Sequence, residues 1–318
     1  METCPTCGTD RPGAFCPQCG ERRVEPEDRT VRALIGRLFG EVTNVDSVLW
    51  RTVGVLLVRP GRLARFWAIG RRRAYLHPVR LFLLMNVVYF LVQPLTTYTG
   101  YNTPLRSQME RQFYSDHAGL YDVVRARVTE RLHVTLAAED LHPDSLARPV
   151  YEARWQSEFR NYEERFDGLS SRLASSLVIV IIPFLALTLV LLYLGRRRLA
   201  ADHVVFATHL MAWDLIAIGV LYLGAFVLLT AGLVELMGGE QAFREFLLSR
   251  PRLAVWFEGF SELGSMIPFG FYVFFGLRRF YEDAVGAAAL RALVLCIVYL
   301  ALVLAYRFLL FWLTYWQV

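Results

Sequence analysis

The chain has 318 residues, of which 55% are hydrophobic and 14% aromatic, and it carries a formal net charge of +5. This length would make about two soluble domains, but a mean hydropathy of +0.36 is not that of a soluble enzyme. The composition therefore predicts a membrane protein. The sequence contains no lysine, which excludes a Walker A phosphate loop, a Schiff-base mechanism and a Ser-Lys mechanism.

Residues 1–20 hold two cysteine knuckles of the form Cys-Pro-x-Cys-Gly. No apolar run precedes them, so we expect no signal peptide and a cytoplasmic N-terminus, where thiols stay reduced and bind metal. Four thiolates favour a structural Zn²⁺ ribbon, with iron in a rubredoxin-like site as the alternative. The acidic residues of the following linker, 21–29, argue against nucleic acid as a partner. The expected ligands are Cys4, Cys7, Cys16 and Cys19.

The rest of the chain predicts an all-α integral membrane protein. Residues 30–78 form amphipathic segments with arginine on the polar side, each too short to span, so we expect interfacial helices. Residues 96–172 are polar and contain a stripe of aromatic and apolar residues, 155–173, spaced as in a coiled coil, which predicts an extracytoplasmic helical hairpin. About five spanning helices are expected: 79–95, 173–194, 203–237, 253–277 and 289–316.

Arginines near the ends of the predicted spans give the orientation. They are dense in 59–80 and recur at 196–198 and 278–279, although loop 238–252 on the proposed outer side also carries three. We therefore expect a bacterial inner-membrane protein with its N-terminus inside and its C-terminus outside. Each cation near the surface contributes about 1 kcal/mol to binding anionic lipid. The residues Arg71, Arg72, Arg73 and Tyr75 either bind such head groups or set the topology alone.

Three motifs resemble a known family. The first is Arg59-Pro60-Gly61, followed by Gly-Arg-Arg-Arg-Ala-Tyr-Leu-His-Pro at 70–78 and Leu81-Phe82. The second is Asp-His-Val-Val-Phe-Ala-Thr-His at 202–209, and the third is Leu-Arg-Arg-Phe-Tyr at 277–281. Behind a double-CxxC ribbon, they resemble the bacterial membrane proteins of domain-of-unknown-function family 3667. The resemblance leaves out the hairpin, 100–170, and implies a topology but no activity.

Polar residues inside the predicted spans are candidates for function. His203, His209 and Asp214 are a candidate metal or proton site, although spacings of six and five residues suit chelation poorly, since ligands on one helix prefer three or four. The alternative places the histidines at the inner interface, bonded to backbone or lipid phosphate. Asn86 is expected to hydrogen-bond between helices.

Glu258 and Glu262 lie one helical turn apart in the fourth predicted span, and Arg307 lies in the fifth. The two carboxylates could share or relay a proton. Alternatively, Glu262 pairs with Arg307, because both lie about 13 Å from the ends of their spans.

We consider three functions for a protein with these features. A non-enzymatic adaptor or sensor that binds a partner protein through the hairpin, 100–172, is the first. The alternative is a transporter of a small solute, ion or lipid that uses Glu258, Glu262 and Arg307, although the sequence shows no internal repeat. A lipid-acting enzyme is the third, and the sequence contains no GxSxG, HExxH or phosphate-binding loop to support it.

Overall fold

The computed structural model divides the chain into two units, Met1–Val53 and Gly54–Val318. The residues that it describes are 2–3, 8–11, 13, 17–18, 47–69, 74–93, 100–102, 104–110, 118–139, 141–143, 146–196, 199–250 and 264–318.

The first unit contains a short antiparallel β-hairpin. Strands β1 (Glu2–Thr3) and β2 (Asp10–Arg11) pair with Glu2 opposite Arg11. Gly8, in the turn between them, has a φ of 74°, a left-handed conformation that glycine adopts without steric cost. An apolar helix, α1 (Ser47–Val58), begins in this unit.

The second unit is helical in its described part. Two of its helices are irregular: α6 includes a 3₁₀ turn at Val178–Val180, and α7 includes a π-helical stretch at Asp214–Tyr222. In chain order the helices are α2 (Arg62–Ala68), α3 (Pro78–Val92), α4 (Leu105–Glu110), α5 (Ala118–Ala138), α6 (Arg148–Leu192), α7 (Ala200–Leu236), α8 (Glu240–Leu248), α9 (Met266–Phe280) and α10 (Val285–Gln317).

Among the described residues, three helices are long and apolar enough to cross a membrane: α6, α7 and α10. This number is lower than the five spans expected. Helix α3 has 15 residues, which is about 22 Å at 1.5 Å per residue and shorter than a hydrocarbon core of about 30 Å. Helix α9 also has 15 residues, and residues 251–263 of the predicted fourth span lie outside the described residues.

Helix α7 is the centre of the bundle. It contacts α2, α3, α6 and α9, while α10 packs against α6 and α9. The faces that point inward carry the buried residues, and the outward faces of the same helices expose large apolar side chains, as a bilayer would require. Examples of these exposed residues are Val87, Leu91, Phe184, Leu187, Leu228, Phe271, Leu290, Leu293, Ile297 and Phe308.

The predicted hairpin and the predicted second span share one helix. Helix α6 runs for 45 residues from the polar region into the apolar one, so no break separates 172 from 173. Its polar half packs against α5 around a buried core that also takes in the end of α10. This core contains Leu105, Val124, Val128, Phe159, Tyr162, Phe166 and Phe311.

Two local features position the helix ends opposite the hairpin. The imidazole Nδ1 of His77 accepts a hydrogen bond from the backbone N–H of Val79 at 3.3 Å, and Pro78 occupies the first helical position of α3. Gly61, with a φ of 71°, lets α2 approach α9 closely, since a Cβ there would lie 2.6 Å from the carbonyl oxygen of Gly276.

Candidate functional site

A buried carboxylate lies between three segments of the bundle. Asp214, at the start of the π-helical stretch of α7, is 3% exposed. The hydroxyl of Tyr101 lies 2.6 Å from its Oδ2 and the hydroxyl of Tyr299 lies 2.8 Å from the same atom. The two tyrosine hydroxyls are themselves 2.6 Å apart. Within the described part of the chain, Oδ1 of Asp214 has no hydrogen-bond partner.

The site lies deep in the bundle. Asp214 comes fourteen residues after Ala200, the first residue of α7, and Tyr299 comes fourteen residues after Val285, the first of α10. At 1.5 Å per residue, each is about 21 Å from its helix start. The ring of Tyr299 stacks on Phe269 at 4.3 Å, so an aromatic wall from α9 closes one side.

Tyr101 reaches this site from a non-helical segment, Gly100–Asn102. In a membrane, such backbone is tolerated only where protein satisfies its polar groups. The N–H of Tyr101 donates to the hydroxyl of Tyr89 at 3.0 Å, and the Gln93 amide donates to the carbonyl of Asn102 at 3.3 Å. The Ser170 hydroxyl donates to the side-chain oxygen of Asn102 at 2.8 Å. Side chains therefore hold the segment in place.

Arg307 binds the same segment. Its Nε and Nη2 both donate to the carbonyl oxygen of Gly100, at 3.0 and 2.6 Å. Glu258 and Glu262, the carboxylates expected to share a proton or to pair with this arginine, lie outside the described residues. The Arg307–Glu262 pair therefore stays a prediction.

A second polar cluster surrounds Asp283, between α9 and α10, at the end of the bundle away from the hairpin. Its side chain is fully buried, and its Oδ1 pairs with Arg196 at 2.8 Å and with Arg291 at 2.7 Å. The Tyr193 hydroxyl donates to Oδ2 of Asp283. Burial, strengthened by the hydrogen bond to Asp283, raises the pKa of Tyr193, which keeps this hydroxyl protonated as a donor.

Stacked rings extend this cluster to α7. The rings of Tyr193 and Tyr281 are 3.8 Å apart and nearly parallel. The hydroxyl of Tyr281 is 2.7 Å from Nδ1 of His203. Beside the cluster, the exposed Arg65 pairs with Glu282 at 3.3 Å. This end of the bundle therefore joins α2, α6, α7, α9 and α10.

The structure does not bring His203, His209 and Asp214 together. His203 meets Tyr281, Asp214 meets Tyr101, and the Nδ1 of His209 lies 2.8 Å from the carbonyl oxygen of Val205, one turn earlier. Among the described residues, no group of three or more His, Cys, Asp or Glu is placed to hold a metal ion.

The other predicted site residues are described only in part. Tyr75 stacks on Phe66 with ring centroids 5.1 Å apart. The four ribbon cysteines and the arginines 71–73 lie outside the described residues.

Sequence reasoning missed both tyrosines of the Asp214 site and the Asp283 cluster. The predicted hairpin includes Tyr101, although this residue lies in the charge-free stretch from Leu81 to Leu105, and that stretch is the available signal. The sequence signal for Asp283 is weaker. It is only that an acidic residue lies close in sequence to Arg278 and Arg279 at a predicted inner face.

Comparison with known proteins gives one match. The model of a family described as a protein of unknown function (DUF3667) matches residues 46–90, which include α2, most of α3 and the arginine-rich segment between them. No curated protein and no solved structure matches the chain. The family match supports the resemblance over this stretch and brings no activity with it.

Proposed function

We propose that the protein is an integral membrane protein of the bacterial inner membrane with its N-terminus in the cytoplasm. Three long apolar helices support this, together with the apolar side chains that α3, α6, α7, α9 and α10 expose. Arg196, Arg278 and Arg279 all lie at the Asp283 end of the bundle, which is the end that the distribution of arginines assigns to the cytoplasm.

Within the membrane it acts as a non-enzymatic adaptor or sensor. The observation that carries this proposal is the single helix α6, which joins the polar hairpin to the bundle without a linker. The end of α10 also packs into the hairpin core through Phe311, whose ring lies 5.6 Å from that of Phe166. A partner that binds the hairpin surface would therefore act directly on two membrane helices.

Complementation of a gene deletion tests this role. Deleting the hairpin would also remove Tyr101 and Ser170, so we would change only exposed charges on it, such as Arg148 and Glu152, which pair at 3.2 Å. Reversing several such charges should abolish complementation while leaving the amount of folded protein unchanged. The matched control exchanges exposed apolar residues of α10, such as Leu293→Ile, and should complement. Full complementation by the charge-reversed hairpin would contradict the adaptor role.

We also propose that residues 1–20 bind one structural Zn²⁺ through Cys4, Cys7, Cys16 and Cys19. Two features of the described residues support it. Gly8, the last residue of the first knuckle, has the left-handed φ that such a turn needs. The Thr9 hydroxyl donates to Oε1 of Gln18, which links a residue next to the first Cys-x-x-Cys sequence to a residue within the second.

Elemental analysis of the purified protein tests the zinc assignment. We expect one zinc per chain, and a loss of zinc in Cys16→Ser without loss of the membrane-inserted protein. Cys296→Ser, in α10, is the control and should retain the metal. Iron in place of zinc, or no metal in the wild-type protein, would contradict the assignment.

Anionic lipid is the expected ligand of the Arg71, Arg72, Arg73 and Tyr75 segment. The exposed Arg278 and Arg279 at the same end of the bundle add to the positive charge there. Native mass spectrometry of protein from nanodiscs containing phosphatidylglycerol and phosphatidylcholine would test this. Replacing arginines 71–73 by glutamine should remove the preference for the anionic lipid, and an unchanged preference would leave these residues a role in topology alone.

A transporter is the second candidate, and the buried Asp214 favours it, since ionisable groups in membrane helices commonly mark ion or proton pathways. Glu258, Glu262 and Arg307 would line the route. Flux of protons or of small ions into proteoliposomes tests it. If the Glu262→Gln variant shows the same flux as the wild-type protein, Glu262 is not required for transport. If the wild-type protein shows no flux, the transporter hypothesis is rejected.

A further inference from the structure

The three oxygens around Asp214 form a closed triangle whose hydrogen bonds can be counted. Its sides are 2.6 Å from Oδ2 to Tyr101, 2.8 Å from Oδ2 to Tyr299, and 2.6 Å between the two hydroxyls. Each side is within hydrogen-bond distance. Three hydrogen bonds require three protons, but two tyrosine hydroxyls supply only two.

With an ionised Asp214, one side of the triangle would lack a proton. If both hydroxyls donate to Oδ2, the contact between the tyrosine oxygens places two lone pairs 2.6 Å apart. If one hydroxyl donates to the other, its only proton is used, and the contact of that donating oxygen with the carboxylate is left without a proton. A proton on Oδ2 completes the ring, since each oxygen then donates once and accepts once.

The other carboxyl oxygen supports the same conclusion. An ionised carboxylate accepts hydrogen bonds on both oxygens, yet Oδ1 of Asp214 has no partner in the described part of the chain. An unpaired charge is strongly destabilising in a low-dielectric interior, whereas the carbonyl oxygen of a neutral acid loses much less when it is buried.

A metal ion cannot replace this proton in the plane of the triangle. With these sides, the centre lies about 1.5 Å from each oxygen, which is shorter than the roughly 2.0 Å of a Mg²⁺–oxygen bond and much shorter than bonds to Ca²⁺.

The groups that face Asp214 supply no compensating positive charge within ion-pair distance among the described residues. Tyr101 and Tyr299 contact the carboxyl directly, and Tyr89 of α3 and Tyr306 of α10 lie against the ring of Tyr101. Arg307 directs its Nε and Nη2 at Gly100. On its own helix, the nearest ionisable group is His209, more than one turn away.

We propose that Asp214 is a proton-binding site and that its carboxyl carries the proton in the conformation described here. Tyr101 and Tyr299 are the other two members of the hydrogen-bonded ring, and the π-helical stretch that begins at Asp214 places Oδ2 against them. The proposal concerns one bound proton at one atom and holds for an adaptor or for a transporter, so it goes beyond the proposed function.

Infrared spectroscopy of the purified protein in detergent at neutral pH tests it, because a carboxylic acid and a carboxylate absorb in separate regions. We expect a carboxylic-acid band that shifts in D₂O, shifts again when aspartate is labelled with ¹³C, and is absent in Asp214→Asn. The matched control is Asp122→Asn, at an exposed position of α5, which should leave the band unchanged.

A second variant keeps the test decisive if Asp214→Asn does not fold. Tyr299→Phe removes one member of the ring and leaves the acid, so the band should stay but change frequency as its hydrogen bonding changes. A carboxylic-acid region without an aspartate band in the labelled wild-type protein would overturn the proposal. A band that persists unchanged in both variants would place the proton on another aspartate and would overturn it equally.

Discussion

Arg307 donates two hydrogen bonds to one backbone atom, the carbonyl oxygen of Gly100, across 207 residues of chain. This contact fixes the end of the segment that delivers Tyr101 to Asp214. The carbonyl of Gly100 lies outside any helix or strand, so the arginine side chain supplies the hydrogen bonds that regular secondary structure would otherwise supply. Removing Arg307 takes both of these donors away.

Arg307→Leu should therefore lower the stability by about 1–3 kcal/mol, which is the cost of an unsatisfied buried polar group. If Glu262 also pairs with Arg307, a further loss follows, because one charge is stranded in the membrane. A double-mutant cycle of Arg307→Leu and Glu262→Leu, read by thermal unfolding in detergent, measures the coupling. If Arg307 and Glu262 form an ion pair, the double variant should be more stable than Arg307→Leu alone. Additive losses would show that the two side chains do not meet.

Gly219 sits in the π-helical stretch against the ring of Tyr89. A Cβ there would lie 2.4 Å from one ring carbon of Tyr89, a residue that is only 2% exposed. Gly219→Ala should therefore lose about 1–3 kcal/mol through overpacking.

Gly224→Ala is the matched control for that variant, five residues along the same helix. No atom lies within 4 Å of its added Cβ, and alanine is the better helix former by up to about 1 kcal/mol. Thermal unfolding of both variants in one detergent should show opposite or clearly different shifts. Equal shifts would mean that Tyr89 does not pack against α7 in this way.

Asp283→Asn should strongly destabilise the other end of the bundle. It removes the acid that Arg196 and Arg291 share, and breaking a fully buried pair costs about 3–5 kcal/mol. Because these arginines are 42% and 25% exposed, we expect about 2–3 kcal/mol instead.

Glu282→Gln provides the comparison at the neighbouring position. Its carboxylate pairs with Arg65 at 3.3 Å, but both side chains are more than half exposed, so solvent screens the pair and the loss should stay below about 1 kcal/mol. If thermal unfolding gave similar losses for the two variants, the burial of Asp283 would not matter to stability.

The orientation of the chain is checked by reporter fusions at residue 20 and in the loop near 144. The distribution of arginines predicts a cytoplasmic reporter at the first site and an extracytoplasmic one at the second. A fusion at Val318 should also report the outer side, because α10 ends within the hairpin core. A cytoplasmic signal at Val318 would require an even number of spans.

The apolar patterns of the sequence locate two of the three long helices, α7 and α10, but divide α6 between the predicted hairpin and the second predicted span. The predicted segment 203–237 differs by three residues or fewer from α7, and 289–316 by four or fewer from α10. The expectation for Asn86 is also confirmed, since its amide donates to the carbonyl of Ser175 on α6 at 2.8 Å. In each case the sequence signal is local, because an apolar segment and a lone polar residue within it can both be recognised from the sequence of one helix.

The partners of Asp214 could not be found in that way. Tyr101 and Tyr299 lie 113 and 85 residues from it, and tyrosine is common at membrane surfaces for other reasons. The segment 100–102 also follows the first predicted span, 79–95, so the hydropathy pattern assigns it to the outside. Only the packing of α3, α7 and α10 shows that it turns back into the bundle.

The distance in sequence between Tyr101 and Tyr299 also sets a delay during synthesis. Chains are made at about 5–20 residues per second, and these two residues are 198 apart, so Tyr299 leaves the ribosome roughly 10–40 seconds after Tyr101. Arg307 follows it on the same helix. Until α10 is made, the bundle therefore contains an acid without Tyr299 and a carbonyl without Arg307, and α10 completes the polar contacts around Asp214 and Gly100.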